Sequence, residues 1–221
     1  VLETACPDDA VLAEESGARE GTSGLTWYLD PLDGTRNFAS GIPQFCVTLA
    51  LTRGETLLIG VTFDPVRGEM FHAIADGGAF LNSEPIAVSE ETELASSVLG
   101  FDMGYANEKG AMLLEMLQEL WPGMQTIRMM GSAALGVAYA ASGRFQVYAH
   151  HHVQPWDIAA GILLVREAGG FVTGIDGARE PLYGDTILAA NANLHRPISE
   201  LLRGPYADMN PPTPQRRNVS R

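Results

Sequence analysis

The chain has 221 residues, of which 46% are hydrophobic and 19% charged, with a formal net charge of −13. That is enough apolar material for one large domain or two small ones, so wholesale disorder is excluded. The acidic balance lacks the basic stripe of a protein that works on the nucleic-acid backbone, so no nucleic-acid partner is expected.

An acidic protein can still bind a phosphorylated small molecule when bound cations reverse the local field. Cys6 and Cys46 show no CxxC spacing and read as free thiols of a reducing compartment. No stretch approaches the apolar length of a membrane span, and the N-terminus lacks the basic-then-apolar pattern of a signal peptide. No membrane partner is expected, and the expected location is cytoplasmic. Val1 enters almost at once into what reads as the middle of a domain, so further residues are expected upstream.

Residues 1–13 form a short helical or extended lead, with Cys6-Pro7-Asp8-Asp9 as a turn before Ala10-Val11-Leu12. Glu14 and Glu15 close this run as either a solvated strand end or donors to a metal site. Residues 18–24 are polar and glycine-rich, hence a loop. The apolar run Leu25-Thr26-Trp27-Tyr28-Leu29 then delivers Asp30-Pro31-Leu32-Asp33-Gly34-Thr35, a strand ending in a turn that opens a helix. Pro31 fixes φ and turns the chain, so Asp30 and Asp33 converge on one point.

The Leu32 carbonyl can join them. Three converging oxygens, two of them anionic, repel one another unless a hard cation such as Mg²⁺ sits among them. Gly34 admits close backbone approach, and the N–H groups after it begin a helix whose positive end suits a phosphate. The competing account is a turn in which Asp30 and Asp33 merely cap that helix, and the motif alone leaves both open.

Gly41-Ile42-Pro43 ends the helix, and an antiparallel meander follows: Phe45 to Leu51, Leu57 to Phe63, Met70 to Ala75 and a short Gly78 to Asn82. Ser97 to Phe101 reads as a further strand. Asn107 to Leu120 places Met112, Leu113, Met116, Leu117 and Leu120 at helical spacing, a core-facing helix stopped by Pro122-Gly123. Thr126 to Met130 is a strand that runs through Gly131-Ser132 into a small-residue helix ending near Ala141. Ser132 is either a plain N-cap or the mouth of an anion site.

Phe145 to His151 is another strand. Pro155-Trp156-Asp157 starts an apolar helix that ends at Gly169-Gly170, with Asp157 either complementing the helix dipole or acting as a third carboxylate. Two short strands lie within 171–191 and a last helix at 194–203. The single domain is therefore 1–203, and the Pro-rich basic tail 204–221 reads as disordered. His150, His151 and His152 do not read as a metal cluster, because successive strand residues point to opposite faces.

Trp27-Tyr28-Leu29-Asp30-Pro31-Leu32-Asp33-Gly34-Thr35-Arg36-Asn37-Phe38, with Glu14-Glu15-Ser16 upstream and Trp156-Asp157-Ile158-Ala159-Ala160-Gly161 through Glu167-Ala168-Gly169-Gly170 downstream, resembles the inositol monophosphatase family. The resemblance runs from about residue 7 to about 203 and implies a layered α/β (α+β) sandwich, α-β-α-β, of the kind shared with fructose-1,6-bisphosphatase. It implies Glu14, Asp30, Asp33, Asp157 and the Leu32 carbonyl as ligands of two or three Mg²⁺ ions, with Glu15 as a nearby supporting acid. It also implies that the Gly34 and Thr35 amides hold the substrate phosphate while the Thr35 hydroxyl positions the attacking water. Ser132 and Ala133 would lie beside the polyol, and a homodimer with lithium sensitivity is expected on the same grounds.

The expected activity is hydrolysis of the phosphate monoester of a small polyol or sugar. Fructose 1,6-bisphosphate, NADP or 3′-phosphoadenosine 5′-phosphate, and histidinol phosphate are alternatives of the same family. A non-catalytic regulatory scaffold that binds a protein partner is the reading from another class.

Three positions depart from the pattern. Family members begin with a helix pair and an acidic strand that bring a lysine and an aspartate to the site, and neither is in this chain; without them a relay to Thr35 is incomplete and an apolar face is left open. His150 stands where inositol-specific members carry a glutamate, so it offers donors that suit another sugar or a second anionic group. Ala13 replaces a glycine, with little expected consequence.

Overall fold

The computed structural model describes residues 1–104 and 107–207. After a short helix α1 (Leu2–Ala5), strand β1 (Ala10–Ala13) carries β2 (Gly17–Arg19) on its outer edge and pairs in parallel with β3 (Leu25–Asp33). Helix α2 (Thr35–Ala39) then leads into the meander β4 (Cys46–Arg53), β5 (Thr56–Asp64), β6 (Glu69–Ile74), β7 (Gly78–Leu81) and β8 (Glu84–Pro85). Together they form an eight-stranded sheet in the order β2-β1-β3-β4-β5-β6-β7-β8.

The second half alternates strands and helices: β9 (Val98–Asp102), α3 (Asn107–Leu120), β10 (Thr126–Met129), α4 (Ala133–Ala141), β11 (Val147–His150) and α5 (Pro155–Glu167). It ends with β12 (Phe171–Thr173), β13 (Ile187–Ala190) and α6 (Ala192–Ala207). The five strands order as β10-β9-β11-β13-β12, with β9 parallel to both β10 and β11. Parallel neighbours need a crossover, which α3 and α4 supply.

Alternation along the strands decides the layering. Tyr28, Cys46, Ala50, Phe71 and Ala73 turn inward from the large sheet and pack on α4 and α5, whose other side meets Tyr148, Val172 and Ala189 of the small sheet. Leu99, Phe101, Val147 and Leu188 point the opposite way, onto Leu113 and Met116 of α3 and Ile198 of α6. The result is sheet, helix pair, sheet, helix pair, the expected α-β-α-β sandwich. Ile158, Ile162 and Leu164 of α5 are fully buried between the sheets, and each contributes roughly 1.5–3 kcal/mol by leaving water. On the outward face of the large sheet, Val47, Phe63 and Met70 stand in cross-strand register and remain exposed.

Several boundaries differ from the sequence reading. The stretch from Asp30 to Asp33, expected to be a turn after the Leu25–Leu29 run, continues as strand to Asp33, with an irregularity in its pairing to β4 between these two residues. Such a bulge re-aims side chains that strict alternation would separate, and it does the work assigned to a turn. At the start of the expected loop 18–24, Gly17–Arg19 pairs with β1 as β2; this short run carries no alternation and is strand only because β1 offers its edge. The last helix spans Ala192–Ala207, four residues into the stretch read as a tail, and 208–221 lie outside the described residues.

Candidate active site

The bulged end of β3, the start of α4, the end of β11 and the first turn of α5 enclose a cavity of about 390 Å³. It opens at the carboxyl ends of parallel β9 and β11, a usual ligand position in open α/β sheets. Asp30, Asp33 and Asp157 meet there, each offering a carboxylate oxygen within 4.8 Å of the others. Among the described residues this is the one such group of three.

Each acid is held differently. Asp30 is 2% exposed, and its Oδ1 accepts the Leu32 N–H at 2.8 Å, closing a tight local turn. Asp33 reaches across the sandwich: its Oδ2 accepts the Ser132 hydroxyl and the Ala134 N–H at 2.9 Å, with the Cys46 thiol at 3.7 Å. Asp157 Oδ2 accepts the Gln154 N–H at 2.8 Å, so this acid caps α5 and joins the cluster as well. The capping account of Asp30 and Asp33 fails, because the N-cap of α2 is Gly34, with no side-chain cap, and Asp33 instead accepts the Ala134 N–H in the first turn of α4.

Gly34 has φ +90°, and a Cβ there would lie 2.9 Å from the Gln44 carbonyl oxygen and 3.2 Å from that of Gly131. Only glycine allows the two halves of the site to approach this closely. From the other side Asn37 Nδ2 donates to the Gln44 and Met130 carbonyls at 2.7 and 3.0 Å. The Thr35 hydroxyl donates to the Leu32 carbonyl at 2.9 Å, and both residues line the cavity.

Electrostatics separate this cluster from ordinary surface acids. Burial, reinforced by repulsion from Asp33, Glu14 and Asp157 and opposed by the Leu32 N–H, raises Asp30 to about 8. Burial and repulsion from Asp33 and Glu14, opposed by the Gln154 N–H, raise Asp157 to about 7. Burial also raises Asp33 despite its donors. Carboxylates that retain protons this tightly lack positive charge, and three such oxygens at short range form the donor set of a hard divalent cation. The residues therefore fit the metal expected from the sequence.

Glu14 lines the same cavity from the end of β1, whereas Glu15 is exposed and is not among the lining residues. Ser132 and Ala133 form part of the wall. His150 is 5% exposed, with its Nδ1 accepting the His152 N–H at 3.0 Å. Burial, then the neighbouring His151 and His152, lowers its pKa to about 3, so the ring is neutral and its proton sits on Nε2. His152, Arg36 and Gln154 also line the cavity.

Sequence reasoning missed Asp102, the last residue of β9, which lines the cavity beside His150 as its register partner. The strand reading stopped one residue short, at Phe101. An acid directly after an apolar strand was the available signal.

A sandwich of this topology with three converging carboxylates at the junction of its sheets defines the class, and comparison supplies the family: the sequence profile of the inositol monophosphatase family matches residues 1–204, so the chain belongs to that family. It is 38% identical over 209 residues to an inositol-1-monophosphatase of Mesorhizobium japonicum, covering 93% of this chain and 78% of that protein. It is also 38% identical over 200 residues to a protein of Pasteurella multocida named Nus factor SuhB, covering 90% and 75%. The crystal structure of the extragenic suppressor protein suhB from Bartonella henselae superimposes with a TM-score of 0.88 at 36% identity, covering 92% of this chain and 79% of that one.

Proposed function

We propose that this chain is a Mg²⁺-dependent phosphomonoesterase acting on a small polyol or sugar phosphate. The observation that carries this reading is the trio of buried Asp30 and Asp33 and half-buried Asp157, mutually repelling and within 4.8 Å of one another. Two or three Mg²⁺ ions would be held by Glu14, Asp30, the Leu32 carbonyl, Asp33 and Asp157. When bound, they supply an activated water and neutralise charge on the leaving oxygen.

The chain's own residues bind and orient. The Gly34 and Thr35 amides hold the phosphate at the start of α2. The Thr35 hydroxyl, already turned onto the Leu32 carbonyl, keeps the attacking water in line, with Glu15 as a supporting acid beyond the cavity wall. Ser132 and Ala133 flank the alcohol portion of the substrate, and the Nε2–H of His150 donates to one of its oxygens. No protein nucleophile is required, because fixed charge and position supply most of the catalysis of phosphoryl transfer. Lithium inhibition and a homodimer accompany the same reading.

A regulatory protein that contacts a protein partner is the second reading, favoured by the name Nus factor borne by several relatives. Phosphate release separates the two. The panel is inositol 1-phosphate, fructose 1,6-bisphosphate, 3′-phosphoadenosine 5′-phosphate, NADP and histidinol phosphate, each with Mg²⁺ and with chelator. Chelator-sensitive release from inositol 1-phosphate or another polyol or sugar phosphate above the rest is expected. Release from none of them, using the full-length protein, would support the regulatory reading.

A further inference from the structure

We propose that Asp102 is a positioning residue of the metal centre, acting through the Met130–Ser132 turn to hold Ser132 on Asp33; this rests on the metal-site reading above. Asp102 is 5% exposed and both of its oxygens are committed. Its Oδ1 accepts the N–H groups of Met130 at 3.0 Å and Gly131 at 2.6 Å, and its Oδ2 accepts the Tyr148 hydroxyl at 2.9 Å. It lies outside the trio that could hold a cation. Its place is one step behind that trio.

The two amides it fixes immediately precede Ser132, the N-cap of α4. Gly131 turns there with φ +66°, and a Cβ at that position would lie 2.6 Å from Asn37 Nδ2, so the turn is wedged between Asp102 on one side and Asn37 on the other. Its orientation decides where the Ser132 hydroxyl and the Ala134 N–H point, and both point at Asp33 Oδ2. That oxygen is thereby fixed, which sets the orientation of the Asp33 carboxylate beside Asp30 and Asp157. Asp102, Gly131, Ser132 and Asp33 form a continuous relay from the small sheet to the metal centre, of the kind by which outer hydrogen bonds orient metal ligands.

The test is Mn²⁺ binding by isothermal calorimetry on the whole chain, with folding checked by circular dichroism. Asp102→Asn retains an oxygen for the two amides and is expected to bind within about threefold of wild type. Asp102→Glu keeps the charge but misplaces the oxygen, and Asp102→Ala removes it; each is expected to bind about tenfold more weakly, the lower end for loss of an outer-shell partner. In the presence of substrate the same variants are expected to raise the Mg²⁺ activation constant more than the KM. The double variant Asp102→Glu with Ser132→Ala is expected to bind no more weakly than Ser132→Ala alone.

Where one of the Glu and Ala variants does not fold, the other carries the comparison. Wild-type affinity in a folded Glu or Ala variant overturns the inference, as does an Asn variant as weak as the Glu variant or losses that add in the double variant. Absence of Mn²⁺ binding in the wild type overturns the metal-site reading and this inference together. Intact wild-type binding with unchanged variants overturns this inference alone.

Discussion

Two sets of buried or half-buried carboxylates occupy this molecule, and they are treated in opposite ways. Asp64 is fully buried and accepts the Val66 and Arg67 N–H groups at 2.9 and 3.0 Å and the Arg67 guanidinium at 2.7 Å. Asp102 likewise meets three donors. Asp30 and Asp157, by contrast, each show one backbone donor and are pushed to about 8 and about 7 by burial and by the acids around them. Asp102, buried as deeply but better supplied with donors, rises only to about 6.

An acid whose charge is met inside the protein is part of the architecture. One whose charge is left unmet is built for something that arrives from outside.

The sharpest way to break this contrast is to neutralise Asp33, which clusters with Asp30 and Asp157 although Ser132 and Ala134 donate to it. Asp33→Asn is expected to lower Mg²⁺-dependent phosphate release by about a hundredfold or more while leaving the metal-free fold intact or slightly stabilised, since it relieves repulsion. Steady-state kinetics and thermal melts of the chelator-treated protein check both halves; wild-type turnover would remove Asp33 from the metal site.

Exchange on the opposite wall tests selectivity: His150→Glu is expected to raise the kcat/KM ratio of inositol 1-phosphate over fructose 1,6-bisphosphate by about tenfold. An unchanged ratio places His150 outside the substrate's reach.

The met set is expected to fail in the other currency. Asp64→Ala strands two backbone donors and Arg67, so urea melts are expected to show a loss of about 2 kcal/mol, with turnover of the folded fraction unchanged. A loss of turnover without a loss of stability would reverse the assignment.

The smallest effect is on the pH dependence of stability without metal. Asp30 and Asp157 lie above the 3.8 of an unfolded aspartate. Between 3.8 and their folded values the native state holds more protons than the unfolded state, so stability falls as pH rises from about 4 through 7 to 8. Chelator-treated protein is expected to show that decline in melting temperature, and saturating Mg²⁺ to flatten it. A rise in stability over the same window would contradict the shifts.

Legibility in the sequence followed the range of the interactions. The meander from Cys46 to Ile74 was readable because each strand alternates over several residues and its turns are marked by Gly54 and Gly68. Asp30, Asp33 and Asp157 were readable because motif residues cluster around them. β2 was not, since Gly17–Arg19 has no pattern of its own and is fixed by β1.

The bulge in β3 was misread as a turn because proline signals both. Asp33's bonds to Ser132 and Ala134 span 99 and 101 residues, and no local spacing encodes them. Asp102 is a lone acid after an apolar strand, and only the fold shows that two amides and a tyrosine converge on it. Glu14 and Glu15, adjacent and alike in sequence, separate in the structure, with Glu14 in the cavity wall and Glu15 outside it.

The central claim is that the clustered acids Asp30, Asp33 and Asp157 await divalent cations. Anomalous diffraction from crystals soaked in Mn²⁺ tests it most directly. The account predicts metal peaks bounded by the carboxylates of Asp30, Asp33 and Asp157; a Mn²⁺ concentration that supports turnover but leaves no peak among these three would contradict it.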